Sequence, residues 1–139
     1  MAGDFRRSVA KISTMEKKIL IVDDEAHIRM LIEQTLEDLE EDGVEFLTAE
    51  NGEIALEMIQ NERPQLVFLD VMMPKMNGMD VCKKVKKDLA LPGIYIALLT
   101  AKGQELDRQK GQEVGADVYM TKPFDPEMIL QKARDVLGL

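Results

Sequence analysis

Residues 65–78 read QLVFLDVMMPKMNG. Gln65–Asp70 is a short apolar run that ends on an acid, and Val71–Gly78 is a loop marked by Pro74 and Asn77-Gly78. A run this short, bounded by loop signals, is a strand with both faces buried, because a strand with one wet face would alternate. The pattern recurs on either side. Lys18–Asp23 (KILIVD) is a first such run, and Val44–Ala49 is a more alternating one suited to a sheet edge. Ile94–Thr100 (IYIALLT) and Asp117–Thr121 (DVYMT) follow downstream.

Helical segments separate the runs. Glu25 to about Glu41 carries Ile28, Leu31, Ile32, Thr35, Leu36 and Leu39 on one stripe, closed by Gly43. Gly52–Glu62 turns Ile54, Ala55, Met58 and Ile59 inward. A third helix runs from about Met79 to Ala90, and a polar fourth covers roughly Gln104–Val114. The fifth opens on Asp125-Pro126, a cap followed by proline, and runs to about Leu137 with Ile129, Ala133, Val136 and Leu137 inward. Strands alternating with helices predict an α/β domain, a doubly wound five-stranded parallel sheet covered on both faces. Right-handed crossovers leave few strand orders, and chemistry in such sheets gathers at the carboxyl ends of the strands.

Composition agrees with one domain. The chain has 139 residues, 45% hydrophobic and 32% charged, with 18 Lys plus Arg against 26 Asp plus Glu and a net charge of −8. An acidic body argues against direct nucleic-acid binding, which needs clustered Lys and Arg. Cys82 is the single cysteine, so an internal disulfide and a multi-cysteine metal site are excluded. No run of about 18 apolar residues is present, so no membrane span is expected. No secretory signal is recognisable, and the cytoplasm is the expected location. The first 18 residues hold five basic and two acidic side chains, a local balance of +3 that leaves −11 for the rest. Residues 1–16 lack a clean period and are read as a flexible extension; 17–139 form the domain.

The strand ends carry the chemistry. The first strand ends in Asp23-Asp24, the third in Asp70 and the fourth in Thr100, while the fifth runs out into Lys122. Asp23-Asp24 alone, or Thr100 alone, is as readily a helix cap. Together they offer acid, acid, hydroxyl and ammonium, and if strands 1 and 3 are neighbours three carboxylates crowd one crevice. Three carboxylates in one pocket repel unless a cation neutralises them, and oxygen-only donors suit Mg²⁺ rather than zinc or copper. A carboxylate beside a metal can take a phosphoryl group as an aspartyl-phosphate, with Lys122 and Thr100 as partners for its oxygens. No phosphate-binding glycine loop accompanies the site, so the phosphoryl group comes from a partner or a small donor, not from ATP bound here.

These motifs identify a resemblance. The chain resembles the receiver domain of bacterial two-component response regulators, the CheY-like family, from Lys18 to Leu137. The likeness rests on Asp23-Asp24, Asp70 with Val71-Met72-Met73-Pro74 and Asn77-Gly78, Leu99-Thr100-Ala101-Lys102, and Lys122-Pro123-Phe124. It implies a flavodoxin-like (βα)5 fold with strand order 2-1-3-4-5. It implies that Asp70 is the phosphoacceptor, taking the group from a sensor histidine kinase or a histidine phosphotransfer protein. Asp24, Asp70 and the backbone carbonyl of Met72 would ligate Mg²⁺, with Asp23 acting through a water. Thr100 would swing towards the phosphoryl group, Lys122 would pair with it, and Tyr119 would be the switch aromatic. The Lys122-Pro123 bond would be cis. The changed surface would be the fourth helix, fifth strand and fifth helix, offered to a downstream protein by a monomer or a phosphorylation-dependent dimer. Met72 and Lys102 fall at positions that govern dephosphorylation in such domains, and a bulky Met72 would shield the group from water.

Other residues have plainer readings. Tyr119 is equally an ordinary half-buried strand aromatic. His27 is a surface residue, Cys82 a packing residue, and Lys83, Lys84, Lys86 and Lys87 a solvated face. Met72, Met73, Met76 and Met79 are filler beneath a loop or an adaptable partner surface, with filler the simpler. The chain is expected to be a signalling phosphoacceptor rather than a turnover enzyme. Dehalogenase-like phosphatases also form an aspartyl-phosphate, but with a second Asp two residues after the nucleophile, where this chain has Met72. Two organisations fit: a stand-alone receiver, or the N-terminal receiver of a longer regulator with a DNA-binding or enzymatic output.

Overall fold

The computed structural model describes residues 17–101 and 105–139, and of residues 105–108 the backbone alone. The extension assigned to 1–16, and Lys102, lie outside the described residues. Strands and helices alternate as β1 (Lys18–Val22), α1 (Ala26–Thr35), β2 (Glu45–Ala49), α2 (Gly52–Glu62), β3 (Leu66–Asp70), α3 (Gly78–Lys83), β4 (Tyr95–Ala101), α4 (Glu105–Glu113), β5 (Val118–Lys122) and α5 (Pro126–Leu137). The strands form one parallel sheet in the order β2-β1-β3-β4-β5, with β2 at an edge as its alternation predicts.

The apolar runs do not alternate because each feeds two cores. Ile19, Ile21, Leu66, Phe68, Ala97 and Leu99 pack with Ile32 of α1, with Leu36 at its C-cap and with Ile129 and Ala133 of α5. Leu20, Val22, Val67, Leu69, Ile96 and Leu98 pack on the other face with Ala55 and Ile59 of α2 and Val81 and Cys82 of α3. The buried seams on α1 and α2 follow i, i+4 spacing. That leaves Leu31 and Ile54, predicted inward, exposed at the rims.

Two helices are shorter than predicted. α1 ends at Thr35, and Glu37–Asp42 continues as a 3₁₀ turn. Thr35 Oγ1 bonds back to the Leu31 carbonyl at 2.8 Å, and the acids that follow would sit at the negative end of the helix dipole. Gly43, at φ 84°, closes the segment. α3 widens at Lys84 into a π-helical segment to Asp88.

One lysine there departs from the reading as a solvated face: Lys83 and Lys87 are exposed, but Lys86 is tied inward. Lys86 Nζ donates to the Ile94 carbonyl and pairs with Asp117 Oδ2, both at 2.6 Å. Asp117 Oδ2 also accepts from Ile96 N at 2.8 Å. One carboxylate thus ties the segment to the starts of β4 and β5. Asp117→Ala is expected to cost about 1–3 kcal/mol, since it strands an amide and an ammonium in partly buried positions. Urea denaturation checks this; a midpoint equal to wild type would contradict it.

Candidate functional site

Strand register assembles the site. Val22 pairs with Leu69, so Asp23 and Asp70, each one residue further on, leave neighbouring strands side by side. β1 and β3 are adjacent although β2 lies between them in sequence, which is the switch point of the sheet. Asp70 pairs with Leu99 and Thr100 with Thr121, while Lys122 stands opposite Ala101. β4 and β5 each run one residue further than their sequence patterns predict, so Thr100 and Lys122 lie within the strands.

Asp23 and Asp70 are buried and Asp24 is exposed; one carboxylate oxygen from each lies within 4.8 Å of the others. Lys122 Nζ donates to Asp23 Oδ2 at 2.7 Å and to Asp70 Oδ1 at 3.0 Å. Asp23 Oδ1 accepts from Glu25 N at 2.9 Å, so both of its oxygens are engaged. Burial pushes the Asp70 carboxyl up to about 6, the Asp23 charge adds to this, and Lys122 opposes it. Burial alone would lower the Lys122 ammonium, but its bonds to Asp23 and Asp70 outweigh that and hold it above its ordinary value.

Charge decides what the pocket can hold. One ammonium faces three carboxylates, and the residual negative charge together with an all-oxygen donor set fits a hard divalent cation. The residues present therefore suit Mg²⁺, with Asp24 the outward acid and Asp23 the one already tied inward.

Thr100 is buried on β4 at 3% exposure, beside Asp70. Tyr119 is half-buried on β5 and packs against the α2–α3 side of the core. The edge of its ring meets α4 at Gly111, where an added Cβ would stand 3.0 Å from Tyr119 Cδ2. The Lys122-Pro123 bond is cis. Met72 is 64% exposed. Met79 is buried, and Met73 and Met76 pack against the core, so three of the four methionines are filler and one faces outward. His27 is a surface residue, 3.3 Å from Glu25.

Cys82 is fully buried, its Sγ 3.6 Å from the Val114 carbonyl, and burial pushes the thiol up to about 12. A thiol reagent at pH 8 is expected to leave Cys82 unmodified in the folded protein and to label it fully in urea. Rapid labelling of the folded form would contradict this.

Two contacts are not evident from sequence patterns. Arg29 Nη1 donates to the Asp23 carbonyl at 2.6 Å and holds the acid turn against α1. The one signal for it is a cation one turn into the helix that follows an acid pair. Gly78 opens α3 where a Cβ would fall on the Asp70 carbonyl oxygen. Its amide bonds the Val71 carbonyl at 2.9 Å, and Asn77 caps the helix at Asp80 N, so the loop after Asp70 closes directly onto the strand.

Known proteins share this arrangement. The chain matches the model of the response regulator receiver domain over residues 19–134. It is 45% identical over 126 residues to "Probable transcriptional regulator ycf27" of Porphyra purpurea, covering 91% of this chain and 49% of that protein. It is 44% identical over 124 residues to the alkaline phosphatase synthesis transcriptional regulatory protein PhoP of Bacillus subtilis, covering 88% of this chain and 49% of that protein. The chain thus spans about half the length of these curated relatives. Its structure superimposes on chemotaxis protein CheY4 of Vibrio cholerae with a TM-score of 0.75 at 35% identity, over 86% of this chain and 98% of that one. With the match running from the first strand into the last helix, and the acid pocket at the switch point of the matching sheet, the chain belongs to the response regulator receiver domain family.

Proposed function

We propose that this receiver domain is a phosphorylation-controlled switch in which Asp70 accepts a phosphoryl group from a phosphohistidine on a sensor kinase or phosphotransfer protein. The observation that carries this is the Asp23–Asp24–Asp70 cluster with Lys122 bridging two of its members. An Asp70 oxygen attacks phosphorus, the P–N bond to the donor imidazole breaks, and the imidazole nitrogen takes up a proton. Asp24, Asp70 and the Met72 carbonyl would hold Mg²⁺, with Asp23 reaching it through water. When bound, Mg²⁺ supplies charge neutralisation of the carboxylates and of the phosphoryl oxygens. Lys122 shifts its donation to a phosphoryl oxygen, and Thr100 turns its hydroxyl to another.

The added charge, about −1.5 to −2, changes what Thr100 and Lys122 bond to. Tyr119 follows Thr100 inward, and α4, β5 and α5 form the altered face read by a downstream protein. The two conformers pre-exist, and phosphorylation changes their populations. Met72, exposed beside the acceptor, shields the group from water. Among the described residues no helix is long and apolar enough to cross a membrane, and we place the switch in the cytoplasm.

The test is phosphoryl incorporation from acetyl phosphate, read by intact mass with Mg²⁺ or with EDTA. Incorporation only with Mg²⁺ is expected; none in either condition would overturn the reading. Catalytic release of phosphate from simple phosphoesters would instead make the protein a turnover enzyme. A second reading concerns organisation. The relatives described as transcriptional regulators are twice as long as the matched region, which favours the receiver of a longer regulator whose output domain acts on transcription.

A further inference from the structure

The turn between β2 and α2 contributes no chemical group to the pocket, yet it touches both acid-bearing loops. On one side the Ala49 carbonyl accepts from Asp23 N at 3.2 Å. On the other, Gly52 lies against the loop after Asp70 so closely that a Cβ there would fall on the Met76 carbonyl oxygen and stand 2.7 Å from the Met76 carbonyl carbon. Those neighbours are backbone, which cannot rotate away as a side-chain tip can. Between the two contacts the turn is itself rigid. Asn51 is 6% exposed, its side chain accepts from Ile54 N at 2.9 Å, and its carbonyl accepts from Ala55 N at 3.0 Å.

The Met76 loop is closed at its other end as well. Val71 N bonds the Leu99 carbonyl and Gly78 N bonds the Val71 carbonyl, each at 2.9 Å, and Met76 N bonds the Pro74 carbonyl at 2.8 Å. With both ends tied, a push at Met76 is taken up within residues 71–76, the stretch that holds Met72.

We infer that the Ala49–Gly52 turn is a brace that sets the spacing between the Asp23–Asp24 loop and the Asp70–Met76 loop, with Gly52 as a positioning residue for the metal pocket. This rests on the proposed Mg²⁺-dependent reading of that pocket. A Cβ at position 52 drives the second loop off the turn while Asp70 stays in its strand and the first loop stays bonded to Ala49, so the Met72 carbonyl loses its distance to the carboxylates. Residues that orient metal ligands without touching the metal change affinity by about 10–100-fold when altered.

The test compares wild type, Gly52→Ala and Gly43→Ala in the full chain. Gly43 has φ 84° with nothing within 4 Å of its Cβ position, so Gly43→Ala strains the backbone without touching the loop and serves as a stability control. Mg²⁺ binding is measured by calorimetry, and amide NMR shifts of the metal-free proteins report the two loops. Gly52→Ala is expected to weaken Mg²⁺ binding about tenfold or more and to shift the amides of 71–77, with neither effect in Gly43→Ala. Mg²⁺ affinity within about twofold of wild type, or equal loss in the control, would overturn the brace. If Gly52→Ala does not fold, Asn51→Ala decides by the same measurements: it loosens the turn without adding bulk, and unchanged affinity and amide shifts overturn the idea. If wild type itself binds no Mg²⁺, the reading of the pocket fails, and the metal-free amide shifts still judge the brace.

Discussion

Asp70→Asn is expected to abolish phosphoryl uptake and, at the same time, to stabilise the metal-free protein. The first effect follows from chemistry, since the amide has no anionic oxygen to attack phosphorus. The second follows from the fold. Asp70 titrates near 6 in the folded chain against 3.8 ordinarily, mainly through burial and then through Asp23. The folded state therefore holds a proton that the unfolded chain has released, and stability falls as pH rises between those two values. Above them the penalty is complete, on the order of 2–3 kcal/mol from about 1.36 kcal/mol per tenfold. Asn removes the charge and surrenders one bond to Lys122, leaving a net gain of roughly 2 kcal/mol at pH 7. Urea denaturation in EDTA should show this gain at pH 7 and lose most of it at pH 4, where Asp70 is itself protonated. A variant less stable than wild type at pH 7 would mean that the carboxylate is held favourably after all.

Lys122→Ala is expected to act in the opposite sense on stability. It leaves the buried Asp23 and Asp70 carboxylates facing each other with their shared ammonium gone. Breaking a buried pair costs about 3–5 kcal/mol, and the lower end applies because the Lys122 side chain is 23% exposed. Protonation of Asp70 relieves part of this, so the loss should be larger at pH 8 than at pH 5. Mg²⁺ should restore more stability to Lys122→Ala than to wild type, because the cation then meets an uncompensated pocket. Melting curves with and without Mg²⁺ measure both; equal curves for variant and wild type would show that Lys122 has no such role. Lys122→Arg should not rescue fully, since a planar fork cannot occupy the point between the two oxygens that Nζ fills.

Much of the fold and of the pocket is legible in the amino-acid sequence. The apolar runs around Leu20, Phe68 and Leu98 fit only strands buried on both faces, and their acid-tipped ends mark where the chemistry lies. Asp23, Asp24, Asp70 and Lys122 come together as their positions at those ends imply. The departures are local. Leu31 and Ile54 look inward on a helical wheel, but the buried seam is narrower than the apolar stripe. Lys86 looks solvated among its neighbouring lysines, but Asp117, far along the chain, and the Ile94 carbonyl hold its ammonium at the starts of β4 and β5. Arg29 carries no pattern of its own, and Gly52 and Gly78 read only as the start of a helix and the end of a loop; what matters in each is the backbone atom it meets.

Sequence by itself therefore determined the elements, the parallel sheet and the kinds of group at each strand end, because burial on two faces and helix periodicity are written in consecutive residues. Tertiary structure alone decided how closely those groups approach. Only there does one ammonium bridge two buried carboxylates, while burial and the Asp23 charge, against that bridge, raise Asp70 to about 6 and the remaining charge calls for a cation. The physical reason is that spacing and desolvation are properties of loops meeting across the sheet, and those meetings join residues separated in sequence by 52 and 99 positions.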